Sequence, residues 1–487
     1  MNPSVESPIL ACGYRDGVRR ESLGFLRRGP DVPIGKWQSR MTKLSKALGR
    51  CSGLQSLPLH AGVMAVFLFP SDVIGATTWT VANCSQATND PSNSTINHTG
   101  VLRYVVAHAA DGDTIDLSQL ACSTITLVDG EVTVPVAHLT LQGPSPDKVT
   151  ISGSNTSRVI DAPAQSSSLV LQSIALSDGF VDDASAHGAR GGCLYVNGDV
   201  SLLNASVSQC VVSTNSRGYG GGVFARGSVT LSLASVTDSS VKYAGALGDA
   251  AIGGGINAGA VTGKYCTVSN NSADGIGGGI SAYDVTLNRC TVDNNQANTA
   301  GGGIASKTTI SNSTISSNQA NHGAGGWFAS YTPLFTPSFT LNNSTIAFNS
   351  VSQTGAGGIY SAIEQHVINN SIIANNTGQA GIADLHVPAS ATIDGSSNLI
   401  LSTDSTVSGL ITVAADPRLG PLAYHGGVTR THFLLPDSPA IDAGNDALGT
   451  SKDQRGTGFP RQAGAGVDIG AVESDTIFVS GFEWPSP

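Results

Sequence analysis

The residues best suited to acid–base chemistry are Asp182-Asp183 and the nearby His187-Gly188. Two carboxylates beside an imidazole could protonate a leaving group or deprotonate an attacking water. Their place just before Gly191-Gly192 also suits a plain polar loop, and His322-Gly323 reads the same way. A second set comprises Asp442, Asp446, Asp453, Arg455, Arg461 and Asp468. Carboxylates gathered there could hold Ca²⁺. The interleaved arginines favour charge pairs that pin an irregular cap. Trp327, Tyr331 and Phe335 could stack on sugar rings, but Trp327 stands where other repeats carry a core aliphatic. No Gly-x-Ser-x-Gly, His-Glu-x-x-His, phosphate loop or nine-residue Gly/Asp calcium repeat occurs. No C-x-x-C pair occurs either, which argues against zinc. The residues therefore assign no catalytic group, no metal and no cofactor.

The elements that would position these residues are set by a repeat. Gly-Gly-x followed by an apolar residue occurs at Gly191-Gly192, Gly221-Gly222, Gly253–Gly255, Gly277–Gly279, Gly301–Gly303, Gly325-Gly326 and Gly357-Gly358. Each copy is followed by an aliphatic: Val207, Val236, Val268, Val292, Ile315, Ile346 or Ile373. Two residues before it stands a small residue: Ala205, Ala234, Cys266, Cys290, Ser313, Ser344 or Ser371. Side chains two apart share one face of a strand, so both columns point inward. Three residues after the aliphatic come Asn271, Asn295, Asn318, Asn349 and Asn376, preceded in the first two repeats by Cys210 and Ser239. A column of Asn at a turn can pass amide hydrogen bonds from coil to coil. Asn-x-Ser/Thr triplets such as Asn312-Ser-Thr314 and Asn343-Ser-Thr345 recur with the repeat and need no glycosylation to explain them. No segment keeps a 3.6-residue period, which excludes a helical solenoid. Thr124–Val128, Val132–Val134, Leu139–Leu141 and Val149–Ile151 read as earlier, irregular coils. The fold class is all-β, a right-handed parallel β-helix of about ten coils, on the order of 50 Å long at ~4.8 Å per coil.

Charge narrows the partners. Residues 1–76 carry ten Lys/Arg and five Asp/Glu; the remainder carries fifteen and thirty. Such an acidic body is a poor partner for nucleic acid or anionic lipid. Lys43, Lys46 and Arg50 precede the apolar run Ala61–Phe69, and Ile74-Gly75-Ala76 follows. That order predicts a signal peptide over 41–76, with residues 1–40 an extension or a mis-called start. Nine apolar residues are too few to span a bilayer, and no other segment could. Export would permit disulfides among the six later cysteines.

The repeats resemble right-handed parallel β-helix surface proteins, including the Gly-Gly-x-Ile repeats of polymorphic outer-membrane proteins. Residues 390–473 resemble the bacterial choice-of-anchor Q domain more specifically. The string runs Asp416-Pro-Arg-Leu-Gly-Pro-Leu422, His425-Gly-Gly427, Ser438-Pro-Ala-Ile-Asp-Ala-Gly444, Asp453-Gln-Arg-Gly456 and Asp468-Ile-Gly-Ala-Val-Glu473. Thr80-Val81, Cys84, Leu102-Arg103, Gly112–Asp116 and Cys122–Leu127 are similar to the opening segment of the same proteins. The resemblance implies an N-terminal cap over 77–122, with Val101–Ala110 a short helix plugging the first coil, and repeats over 123–389. It implies a Cys84–Cys122 disulfide, since both cysteines lie outside the regular column and the matching segment has both. Closing that loop would stabilise by very roughly 3–4 kcal/mol. The tail 474–487 departs from the family, carrying Gly481-Phe-Glu483 in place of a hydrophobic anchor. The resemblance implies a secreted or cell-surface location and no established reaction. The expected role is non-catalytic and adhesive, with an extracellular polysaccharide or a neighbouring cell surface as partner.

A polysaccharide lyase or glycoside hydrolase is the alternative, because pectate lyases and polygalacturonases are also built on this helix. Asp182-Asp183 with His187 resembles part of a polygalacturonase site, but the accompanying Arg-x-Lys is missing. A calcium-dependent lyase needs acidic side chains stacked on adjacent coils and a basic residue. The repeat register pairs Asp293 with Ser269 and Ser316, Asp284 with Ala260 and Thr308, and Asp238 with Asn270. It thus stacks no carboxylates. Between residues 200 and 417 the only arginines are Arg217, Arg226 and Arg289. Cys266 and Cys290 share the inward column, and parallel Cβ vectors predict two reduced, packed thiols.

Overall fold

The computed structural model describes residues 76–84, 100–145, 147, 149–185, 187–245, 250–329, 338–378, 384–403, 412–445 and 448–474. Residues 1–40, the signal-like segment up to residue 75, Tyr331, Phe335, Asp446 and the tail from residue 475 lie outside them.

The chain winds as a right-handed parallel β-helix with three walls. The first wall holds the long strands, such as Ile256–Lys264 and Ile280–Asn288, many of them bent at a bulge. The second wall stacks 12 mostly three-residue strands, from Thr124–Thr126 to Thr412–Val413. The third wall stacks seven strands of two to seven residues, the longest being Ser350–Ala356. One helix, α1 (Leu102–His108), buries Leu102, Val105 and Val106 in the same core as the first coils. Among the described residues no helix is long and apolar enough to cross a membrane.

The aliphatic column is in register through the second wall. Val207 pairs with Val236, then Val268, Val292, Ile315, Ile346, Ile373 and Ile400 follow. All but Ile400 are completely buried. Left-handed residues turn the chain on either side of most of these short strands, as at Arg289 (φ 56°) and Asn294 (φ 53°) around Thr291–Asp293. At the opposite corner Gly277 takes φ 71°. At Gly278 a Cβ would come within 2.3 Å of the Gln296 carbonyl, so only glycine lets the coils stack there.

The Asn column forms the expected ladder. Asn271 donates Nδ2 to Asn295 Oδ1 (3.0 Å) and to the Val236 carbonyl (2.9 Å). The pattern repeats from Asn295 to Asn318 to Asn349 to Asn376. It ends where Asn376 donates to Asp384 Oδ1 at 2.9 Å, a carboxylate that burial pushes up in pKa. Asn318→Ala strands groups on both neighbouring coils and is expected to cost about 2 kcal/mol. Chemical denaturation checks this; an unchanged midpoint would contradict the ladder's role.

A second ladder runs up the small-residue column. The Cys290 amide donates to Ser313 Oγ, Ser313 to Ser344 Oγ and Ser344 to Ser371 Oγ, at 3.0–3.2 Å.

Among the described residues three disulfides tie the chain. Cys84–Cys122 is present, with Cα atoms 6.1 Å apart. Cys266 and Cys290 are bonded rather than reduced, with Cα atoms 4.5 Å apart. The expectation of free thiols rested on parallel Cβ vectors within a strand. Each cysteine instead sits at a corner, directly after a left-handed residue, Tyr265 or Arg289, where strand alternation does not hold. Cys193–Cys210, with Cα atoms 5.4 Å apart, has a legible cause. In later coils the third glycine packs on the Asn of the ladder, as Gly279 does on Asn295. In this coil both members of that contact are cysteine.

The C-terminal segment caps a side rather than an end. From Leu419 onward it folds back along the outer face of the second wall. Thr291 Oγ donates to the Arg430 carbonyl (2.6 Å), and Thr314 Oγ to Gln454 Oε1 (2.6 Å). The Ala471 amide donates to Thr345 Oγ (3.1 Å), and Asn370 Nδ2 to the Asp468 carbonyl (3.1 Å). Leu434, Ala440 and Ile469 pack on Ile372, Ala374 and Leu399.

Candidate functional site

The outer face of the first wall carries the chemistry. One outward position per coil forms a single register: Asp161, Tyr195, Phe224, Asn257, Ser281 and Ala305. It continues through Phe328, Tyr360 and His386. Tyr195 and Phe224 stack with ring centroids 5.5 Å apart. Phe328 stacks on Tyr360 (5.8 Å), and Tyr360 on His386 (4.4 Å). Two aromatic stacks therefore flank a stretch of three small residues.

At the N-terminal end of this strip lies a charged cluster. The Arg158 guanidinium is completely buried and donates to Glu131 Oε2 at 2.5 Å. It also donates to the carbonyls of Arg190 and Gly191. Asp161 is buried 3.7 Å from Arg158, and its Oδ1 has no hydrogen-bond partner. Burial pushes the pKa of both Glu131 and Asp161 up, opposed by Arg158. His187 reaches Asp161 Oδ2 through Nε2 at 3.3 Å and stacks on Tyr195 at 4.5 Å. It does so from a left-handed backbone, φ 61°, a strained state for a residue with a Cβ. A carboxylate that orients a half-exposed imidazole could serve general acid–base chemistry.

The structure separates His187 from its expected partners. Asp182 accepts from the amide of Ala184 and the hydroxyl of Ser185, closing its own turn. Asp183 turns to Thr214, Asn215 and Ser216, whose hydrogen bonds hold its pKa down. His322 bonds Thr354 Oγ at 2.8 Å. Asp161, Glu131 and Arg158 gave no sequence signal, since Glu131 lies on a different coil segment from Arg158 and Asp161 and the repeat marks neither segment.

Several other carboxylates have partners within the protein. Asp293 is buried against Arg430 at 2.6 Å, and burial pushes it up to about 6. Asn270 donates to Asp238 at 3.1 Å. Asp284 pairs with Ala260 as expected but with Lys307 rather than Thr308, because a bulge shifts the register. In the C-terminal segment Arg455 donates twice to Asp453 Oδ2, at 2.9 and 2.7 Å. Arg461 donates to the carbonyls of Asp468 and Gly470, and Asp468 accepts from the Asp442 amide. Burial pushes Glu473, 3.3 Å from Arg461, up to about 8. Trp327 is wholly buried and donates to the Ser306 carbonyl at 3.1 Å, which makes it core. A shallow groove of about 280 Å³ on the third wall is lined by Gln296, Gln319, Asn321, Ser350 and Ser352 among others, with no titratable group.

Fold and surface together define a parallel β-helix protein whose first wall presents an aromatic strip beside a charged cluster. No family model matches the chain, and no curated protein matches it. The resemblance of residues 390–473 to choice-of-anchor Q thus rests on those residues alone. Among solved structures the chain is similar to pectate lyase Pel9A, with 13% identity and a TM-score of 0.45. The match covers 82% of this chain and 96% of that one. The likeness lies in the coil winding and carries no argument about chemistry.

Proposed function

We propose that this is an exported β-helix protein, secreted or held at the cell surface, that binds polysaccharide without cleaving it. The observation that carries the reading is the outward strip of Phe224, Phe328, Tyr360 and His386, locked in one register by the wall and backed at one end by the buried Tyr195. Rigid rings along a straight wall suit a repeating sugar chain. Sugar on a neighbouring cell would make the protein adhesive. Export draws support from the basic, apolar, small order before residue 77 and from three disulfides. Mass spectrometry of exported protein should find an N-terminus close to Thr77; exported material retaining residues 41–76 would refute cleavage there. Co-sedimentation of the protein with a panel of insoluble polysaccharides tests the binding reading, and retention by none of them would reject it. The second reading, a glycoside hydrolase or polysaccharide lyase, is favoured by the Asp161–His187 pair beside Arg158.

A further inference from the structure

We infer that the stretch between the two aromatic stacks is a binding trough for a neutral glycan of about three or four sugar rings. This rests on the binding reading above and names the place and the sugar class. Asn257, Ser281 and Ala305 form its floor, one residue per coil, between Phe224 and Phe328. The floor is low and polar, with Asn257 Nδ2 directed to the Ser281 carbonyl at 3.3 Å. Four coil steps at ~4.8 Å set the two end rings ~19 Å apart, the length of three or four linked pyranose rings.

A third aromatic stands beside the middle of the floor. Tyr283 is two residues beyond Ser281 on the same long strand, and it is 82% exposed. That exposure leaves the ring open to a ligand lying along the floor. A tyrosine offers a flat apolar face to the C–H side of a sugar and a hydroxyl to its edge. Phe224 and Phe328 are half-buried, each backed on one side by the next ring in its stack. The trough would then hold a chain by its ends and its side.

Charge selects the sugar class. The floor carries no titratable side chain, while the body beyond residue 76 has thirty acidic residues against fifteen basic. An acidic glycan would meet a body of net negative charge and no cation among the three floor residues, with Arg190 over the Phe224 ring at one end. A neutral glycan is indifferent to both.

The test is calorimetry of the full-length protein with cellotetraose, mannotetraose, xylotetraose and tetragalacturonate. At least one neutral tetrasaccharide should bind, and more tightly than tetragalacturonate. Tyr283→Ala should weaken that binding about tenfold with an unchanged melting temperature, since the ring is almost fully exposed. Equal binding by the variant would overturn the trough and leave the polysaccharide-binding reading standing. A preference for tetragalacturonate would overturn the neutral assignment. A wild-type protein that binds none of these and sediments with no polysaccharide would remove both the trough and the reading beneath it.

Discussion

Arg455→Met is expected to destabilise the protein by about 3–5 kcal/mol, because it leaves a buried carboxylate without its counter-charge. Arg455 and Asp453 have no exposed side-chain surface, and two guanidinium hydrogen bonds join them. Arg455 also donates to the Glu473 carbonyl at 2.9 Å and lies 4.0 Å over the Phe459 ring. The adjacent Gln454 ties the segment to the second wall through the Cys290 carbonyl and the Thr314 hydroxyl. The loss should therefore appear as faster amide exchange over residues 418–474, with the coils before residue 266 little changed, since coils contact only their neighbours. Replacing both members, as Asp453→Asn with Arg455→Met, should recover part of the loss. A single variant with wild-type melting and exchange would show that the lateral segment is not held by this pair.

The second large effect is a change in the pH dependence of stability on replacing His366 with Phe. His366 is 2% exposed and stacks 4.1 Å from Phe339. Burial lowers its pKa to about 4. Unfolded, the ring takes a proton near 6.5; folded, it does not until about 4. Its contribution is therefore complete above pH 6.5 and is lost as pH falls toward 4. Over that window wild type should lose about 3 kcal/mol relative to His366→Phe. His432 behaves in the same direction, also lowered to about 4 by burial. Its Nδ1 donates to the Gly420 carbonyl at 2.7 Å and its Nε2 accepts from Ser316 Oγ at 2.9 Å. Asp293 and Glu473, both raised by burial, act oppositely. The comparison must therefore be made between variant and wild type at each pH. Urea unfolding at pH 7 and pH 4.5 checks it, and parallel curves would show that His366 is not a buried neutral ring.

What the sequence could reveal followed from periodicity. Val236, Val268 and Val292 were visible as core because alternation within a strand and repetition between coils agree at those positions. The Asn ladder was visible because a recurring amide at a turn has few other uses. Long-range placement was not visible. Nothing local to Asp453 or Gln454 says that they will lie on Thr291 and Thr314 rather than across the last coil. The Asp161–His187 pair was hidden because its members fall on different turns, with His187 in a loop that breaks the repeat. Cys266 and Cys290 were placed in the correct column, but their bonding depended on corner geometry that a strand-based argument cannot supply. Cys193 and Cys210 were readable in hindsight, since each departs from its column at the two positions that touch.

The most direct test of the central claim, binding without cleavage, follows polysaccharide chain length and unsaturated product together. The full-length protein is incubated with each polysaccharide it retains, with and without Ca²⁺. We predict stable retention, unchanged chain length and no unsaturated product in either condition. Shortened chains, or unsaturated ends that depend on Ca²⁺ or on His187, would contradict the account and establish the protein as an enzyme.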